Sequence, residues 1–199
     1  MKHSFEIPPE ERYEKPEFKK RMKELKDYFK GCKKILEIGA GTGKFGENDS
    51  RYTGIDINKN VIKIAKKLGR NVIYGNATKI PLKSNSFDGV LCNEFIEHLY
   101  PQEAIKMFKE VERILKLGGI FMITTPIGYI HYMPTHVKQY PYQAIEKLCE
   151  MTDSLYLESW KVFDFSSQML KIRIINFFLS FFTELRVGGQ LCIIRKAKK

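Results

Sequence analysis

One feature constrains this chain more than any other: the apolar run Ile35-Leu36-Glu37-Ile38 breaks directly into Gly39-Ala40-Gly41-Thr42-Gly43. A run of that length bounded by a turn signal reads as a buried strand. Three glycines in the turn remove the Cβ atoms that would keep backbone N–H groups away from a ligand. Around this point, strand and helix patterns alternate. Tyr52–Ile57, Asn71–Tyr74, Phe87–Cys92 and Ile120–Thr124 read as further strands. Asn58 caps a helix carrying Val61, Ile62, Ala65 and Leu68, closed by Gly69. Pro101 opens an amphipathic helix with Ile105, Phe108, Val111, Ile114 and Leu115 on one face, stopped by Gly118-Gly119. Such alternation calls for a parallel sheet with helices on both faces.

The flanks are simpler. Residues 1–16 carry Pro8, Pro9 and Pro16 and read as an irregular arm; a helix is predicted from Glu17 to Lys30. Beyond about residue 140, a helix is expected over Pro141–Met151 and strands over Tyr156–Phe163 and Gln190–Arg195. The domain division expected is an N-terminal arm and helix over 1–34, then one domain over 35–199.

At 199 residues the chain is long enough for one domain with a real core. The net charge of +11 is uneven: residues 1–34 carry +4, residues 186–199 carry +5, and the stretch between only +2. The charged ends serve as solubilising termini or steer toward an anionic partner. Cys32, Cys92, Cys149 and Cys192 form no C-x-x-C pair, which points to reduced thiols and a cytoplasmic location rather than zinc or disulfides. Met1–Lys34 lacks the apolar core of a signal peptide, and Ile174–Phe182 is too short to span a bilayer.

Two nucleotide readings of the glycine loop compete. Gly41-Thr-Gly43-Lys-Phe-Gly46 fits the dinucleotide pattern G-x-G-x-x-G, but Gly39-Ala40 then separates the strand from its first glycine. The other begins at Glu37. From there the chain resembles the class I S-adenosylmethionine-dependent methyltransferases, in the branch related to ubiquinone and menaquinone biosynthesis. The resemblance covers roughly residues 35–150. It rests on Ile35–Gly43, on Gly54-Ile-Asp56-Ile57, on Gly75-Asn-Ala-Thr-Lys-Ile-Pro81, on Ser86-Phe-Asp-Gly-Val-Leu-Cys-Asn93 and on Glu112–Ile120, in order.

The resemblance implies a Rossmann-like α/β three-layer sandwich, with a mostly parallel seven-stranded sheet and an antiparallel last strand. It implies S-adenosylmethionine as methyl donor, leaving S-adenosylhomocysteine. The donor-binding set is then Glu37, Gly39, Ala40, Gly41, Asp56, Ile57, Asn76, Ala77 and Asn93. The chemistry of these residues agrees. Asp56 can accept from both ribose hydroxyls, loop carbonyls can take the ammonium, and Ile57 can cover an adenine face. Two departures stand out: the short Gly43–Asp56 segment leaves room for only a clipped helix, and Asn76 stands where an aspartate is usual.

Cys92-Asn-Glu-Phe-Ile-Glu-His-Leu99 follows the fourth strand. Glu94, Glu97 and His98 would share one face of a helix, and His131 and His136 follow the fifth strand on the same rim. The pattern is similar to a Glu-x-x-Glu-His run plus a later histidine that binds a divalent ion in ubiquinone-biosynthesis O-methyltransferases and small-RNA 2′-O-methyltransferases. A metal site of Glu94, Glu97, His98 and His136 is thereby sketched, though the expectation is a metal-free enzyme. His98 and His136 are the candidate catalytic residues, since an unperturbed imidazole suits a general base.

A helix over 166–185 is apolar around most of its circumference, with Phe178 and Phe182 among its residues. Within a variable helical insertion over 166–188, it suits core, an acceptor wall or lid, a homodimer contact or, last, membrane association. The expected function is methyl transfer to a small molecule. RNA as acceptor and a degenerate scaffold or regulatory subunit are the alternatives.

Overall fold

The structure is a computed structural model and describes residues 10–127, 136–163 and 188–197. The strands are β1 (Ile35–Ile38), β2 (Tyr52–Asp56), β3 (Val72–Tyr74), β4 (Phe87–Asn93), β5 (Leu115–Ile127), β6 (Leu155–Phe163) and β7 (Gly188–Lys196). The helices are α1 (Pro16–Tyr28), α2 (Lys59–Lys67), α3 (Pro101–Ile114) and α4 (Tyr142–Glu150). Short 3-10 turns lie at Glu10–Glu14, Lys44–Gly46 and Ile96–His98.

All strands join one seven-stranded sheet in the order β3-β2-β1-β4-β5-β7-β6. The pairs β1–β2, β2–β3, β1–β4 and β4–β5 are parallel. Strand β7 runs antiparallel to both β5 and β6. The fold is therefore the expected Rossmann-like α/β sandwich with an antiparallel last strand. The chain leaves β1 for β2 and β3 on one side, then returns to lay β4 on the other. That reversal opens a crevice at the carboxyl ends of β1 and β4, where open α/β sheets bind ligands.

Strand alternation divides the core into two layers. Leu36, Ile38, Val90, Cys92, Phe121, Ile123, Cys192 and Ile194 pack with Met107, Phe108 and Val111 of α3 and Ile145 and Leu148 of α4. Their neighbours Ile35, Leu91, Ile120, Met122, Leu191 and Ile193 face Met22, Leu25 and Phe29 of α1. Fully burying each large apolar side chain contributes about 1.5–3 kcal/mol, so α1 is anchored by its own apolar face.

Local chemistry sets the boundaries. Asn58 caps α2 by accepting from the Asn60 amide at 2.9 Å. Pro101 sits in the first turn of α3, and Glu103 accepts the Tyr100 amide at 2.9 Å. Pro16, placed in the arm by sequence, instead begins α1, where its missing N–H costs nothing. Strand β5 starts at Leu115 rather than Ile120, because Leu115 is already extended and pairs with Phe87 before the chain bends at Gly118. The clipped helix after the glycine loop is the single 3-10 turn Lys44–Gly46.

All four cysteines are buried and free. Burial pushes the Cys149 and Cys192 thiols up to about 12. No helix among the described residues is long and apolar enough to cross a membrane. The apolar segment 166–185 and His131 lie outside the described residues.

Candidate functional site

Strands β1 and β2 deliver two acids to the same edge. Asp56 ends β2. Its Oδ2 accepts the Gly41 amide at 2.9 Å, and its Oδ1 accepts the Asn58 amide at 2.8 Å. Each carboxylate oxygen keeps a lone pair for another donor, so the side chain is aimed by the backbone and still able to accept two hydroxyls. Gly41 has φ 54°, and among the described residues a Cβ there would meet nothing within 4 Å. Open space thus adjoins the loop where it touches Asp56. Ala40 is buried, while Ile57 is 56% exposed beside Asp56. Glu37, within β1, is buried and accepts from the Tyr52 hydroxyl. Desolvation pushes its carboxyl up to about 8, against the Tyr52 hydrogen bond, which lowers it.

Gly39 is also left-handed, at φ 69°. A Cβ on it would come within 2.2 Å of the Phe95 ring, so Phe95 lies directly against the loop. Asn93, at the end of β4, accepts from Thr124 Oγ1 at 2.7 Å. Ala77 is buried. Asn76 is exposed, and its side-chain oxygen accepts from both the amide and the hydroxyl of Thr78 at 2.9 Å. The oxygen that the sequence offered to an adenine amine is therefore already used by Asn76's own turn.

On the opposite rim, the expected helix face of Glu94, Glu97 and His98 does not form. Glu94 is left-handed at φ 51°, and only Ile96–His98 make a 3-10 turn. Glu94 instead pairs with Arg21 of α1 at 2.7 Å. The other three residues do converge: ligand-capable atoms of Glu97, His98 and His136 all lie within 4.8 Å of one another. The His98 and His136 ring centroids are 5.1 Å apart and nearly perpendicular. The Glu97 carbonyl accepts the Val137 amide at 2.8 Å, which ties the segment after β5 to this turn. Thr125 Oγ1 lies 3.2 Å from Glu97 Oε2. Burial, then the charge of Glu94, raise the Glu97 carboxyl above the ordinary range.

Comparison with known proteins decides what this edge belongs to. Residues 36–123 match the family described as a methyltransferase domain. The matched stretch spans 88 of the 199 residues. It contains Glu37, the glycine loop, Asp56, Asn76, Asn93 and the Glu97-His98 turn, but not α1 or His136. An uncharacterized protein of Methanocaldococcus jannaschii, MJ1123, is 40% identical over 88 residues, spanning 44% of this chain and 42% of that protein. Phthiotriol/phenolphthiotriol dimycocerosates methyltransferase of Mycobacterium tuberculosis is 36% identical over 101 residues, 46% of this chain and 37% of that one. The chain thus spans less than half the length of these curated relatives. A SAM-dependent methyltransferase from Archaeoglobus fulgidus superposes with a TM-score of 0.68 at 24% identity, covering 89% of this chain and 92% of that one. That likeness shows a shared Rossmann-like α/β fold.

Three residues of the methyltransferase edge escaped the sequence reading. Arg21 donates to Glu94, to Thr124 Oγ1 at 3.0 Å and to Asn93 at 3.4 Å. Its partners lie more than 70 residues away, and no local pattern announces it. Arg70 is buried, holds Glu10 through two hydrogen bonds of 3.0 and 2.9 Å, and reaches Glu47. It thereby fastens the N-terminal turn beside Thr42 of the loop. Phe95 stood in the Cys92–Leu99 stretch with no role assigned to it.

Proposed function

We propose that this chain is an S-adenosylmethionine-dependent methyltransferase whose acceptor is a small molecule. The observation that carries the donor assignment is the Asp56–Gly41 pairing beside open loop space. It presents a preorganised hydroxyl acceptor at the switch point. In this reading Gly39, Ala40 and Gly41 hold the amino-acid tail, and Asp56 holds the ribose. Ile57, Asn76 and Ala77 border the adenine, Asn93 and Glu37 the sulfonium end. Because its oxygen is engaged by Thr78, Asn76 contributes shape more than an accepted hydrogen bond.

Bound donor supplies an activated methyl on a cationic sulfur. The protein supplies position: an acceptor atom must sit in line with the sulfur–methyl bond, and such orientation can lower a barrier by roughly 7–11 kcal/mol. His98 and His136 border that line on the β4 side and serve to hold or remove the acceptor's proton. No divalent ion is assigned. Glu94, needed as the fourth ligand, is engaged by Arg21. Turnover is expected to survive exhaustive chelation, and loss restored by Mg²⁺ or Mn²⁺ would reverse that assignment.

The deciding experiment measures transfer of labelled methyl from S-adenosylmethionine, with a small-molecule extract and total RNA as separate acceptors. Label in the small-molecule fraction supports the proposal. Label only in RNA moves the acceptor class. Calorimetric absence of donor binding at millimolar concentration leaves a scaffold.

A further inference from the structure

Glu37 is held by a partner from the neighbouring strand. Tyr52 opens β2 opposite Ile35 and shares the α1-side core with Phe45. Two glycines make its slot. A Cβ on Gly46 would lie 1.9 Å from Tyr52 Cγ, and one on Gly54 would lie 2.7 Å from its hydroxyl oxygen. At the end of this slot the phenol donates to Glu37 Oε2. Tyr52 is 2% exposed and Glu37 5%. The other titratable groups acting on Glu37 are Asp56 from β2 and Lys26 from α1, and Cys92 of β4 senses its charge.

We infer that Tyr52 is a positioning residue for donor binding, holding Glu37 at the floor of the cleft as the acceptor for the donor's positive charge. The inference rests on the reading that this chain binds S-adenosylmethionine with Glu37 in the donor set. A buried carboxylate without a donor is strongly disfavoured relative to its neutral acid. Among the influences on Glu37, only Tyr52 and Lys26 favour the charged form; burial and Asp56 oppose it. Removing the phenol hydroxyl therefore leaves Glu37 neutral over a wider pH range, and a neutral acid attracts a cation poorly. The ring itself fills the glycine slot, so Tyr52→Phe removes the donor and keeps the packing.

The test is calorimetric titration of the whole chain with S-adenosylmethionine from pH 6 to 9, for wild type, Tyr52→Phe, Glu37→Gln and the double variant. The donor's own ammonium titrates in all four, so only differences among them are read. Tyr52→Phe should weaken binding at pH 7 about tenfold and move the pH-dependent rise in affinity upward by about one unit. Glu37→Gln should abolish that rise, and the double variant should bind no more weakly than Glu37→Gln alone. Multiplying losses in the double variant, or a Tyr52→Phe profile that coincides with wild type, would overturn the inference. Thermal melting checks folding. If Tyr52→Phe does not fold, the decision falls to Glu37→Gln, and a pH profile unchanged from wild type rejects the idea. Wild-type protein that takes up no donor at any pH refutes the functional reading itself, and the inference with it.

Discussion

The two sides of the cleft are built in different ways. In the proposed reading the core of the donor side, Glu37, the glycine loop and Asp56, comes from 22 consecutive residues, Ile35–Asp56, and its central contact is a side chain on a backbone amide fifteen residues away, Asp56 to Gly41. The acceptor rim gathers Arg21, Glu94, Glu97 and His136 from three separate parts of the chain. A ligand common to a large superfamily can be held by a local motif. A rim assembled from distant segments can change its chemistry without disturbing that motif. The matched methyltransferase domain ends at residue 123, short of His136. Glu94, Glu97 and His98 lie inside that stretch, and Arg21 and His136 outside it, so the rim is completed by residues beyond the family match.

The comparison breaks most visibly in turnover. His98→Ala should lower methyl transfer by about 100-fold or more if the imidazole moves the acceptor's proton, with donor affinity within about twofold of wild type. His136→Ala should do the same less severely. Single-turnover transfer and calorimetry measure the two quantities separately. A parallel loss of donor binding would mean that the rim and the loop are one site, and the division would fail.

Asp56→Ala tests the other side. It removes the ribose acceptor and releases the Gly41 and Asn58 amides, so donor affinity should fall about 100-fold, since each hydrogen bond to a charged group contributes roughly 1.5–3 kcal/mol. Asp56→Asn, which keeps one accepting oxygen, should recover part of the loss. Equal donor binding by Asp56→Ala and wild type would show that Asp56 serves only to cap the loop.

The same division explains what was legible in the sequence. The alternation of strands and helices, the glycine loop and the Asn58 cap were readable because each depends on neighbours within a few residues, whereas Asp56 was assigned through the family resemblance. Glu94 was misplaced because helical spacing was assumed where the backbone turns left-handed and Arg21 supplies a stronger partner. A pattern of three residues cannot show that a guanidinium from α1 will arrive between them. The Asn76 oxygen was assigned to a ligand when Thr78, two residues away, supplies it with two donors. Tyr52 was seen only as a strand residue, since the glycines that make its slot act through space.

Arg21→Met sharpens the comparison at intermediate size. Glu94 and Arg21 are both mostly shielded, at 31% and 22% side-chain exposure. Removing the guanidinium leaves Glu94 and Asn93 without their α1 donor and should cost about 1–3 kcal/mol of stability, read by denaturant unfolding. Donor affinity should change less than stability. The reverse order would make α1 part of the donor site rather than a brace for the acceptor rim.

The smallest effect concerns the clasp between the N-terminal turn and the loop. Hydrogen bonding to Arg70 holds the Glu10 carboxyl below its ordinary value, and Lys44 followed by Arg70 does so for Glu47. A carboxyl whose folded-state value is depressed stabilises the fold above its unfolded value of 4.5, and that contribution fades as pH falls through the lower folded-state value. Glu10 is 41% exposed, so solvent screening limits its share to less than about 1 kcal/mol at neutral pH. Unfolding curves of wild type and Glu10→Gln should therefore differ by a small constant amount at pH 6–8, then converge as pH falls below 4.5. Raised salt should narrow the gap at neutral pH, because the carboxylate is partly in water. A gap that widens in acid would have the wrong sign for an Arg70 clasp and would place the stabilising charge elsewhere on the arm. The donor side would then stand on its 22-residue motif alone, with no brace from the N-terminal turn to match the one Arg21 gives the acceptor rim.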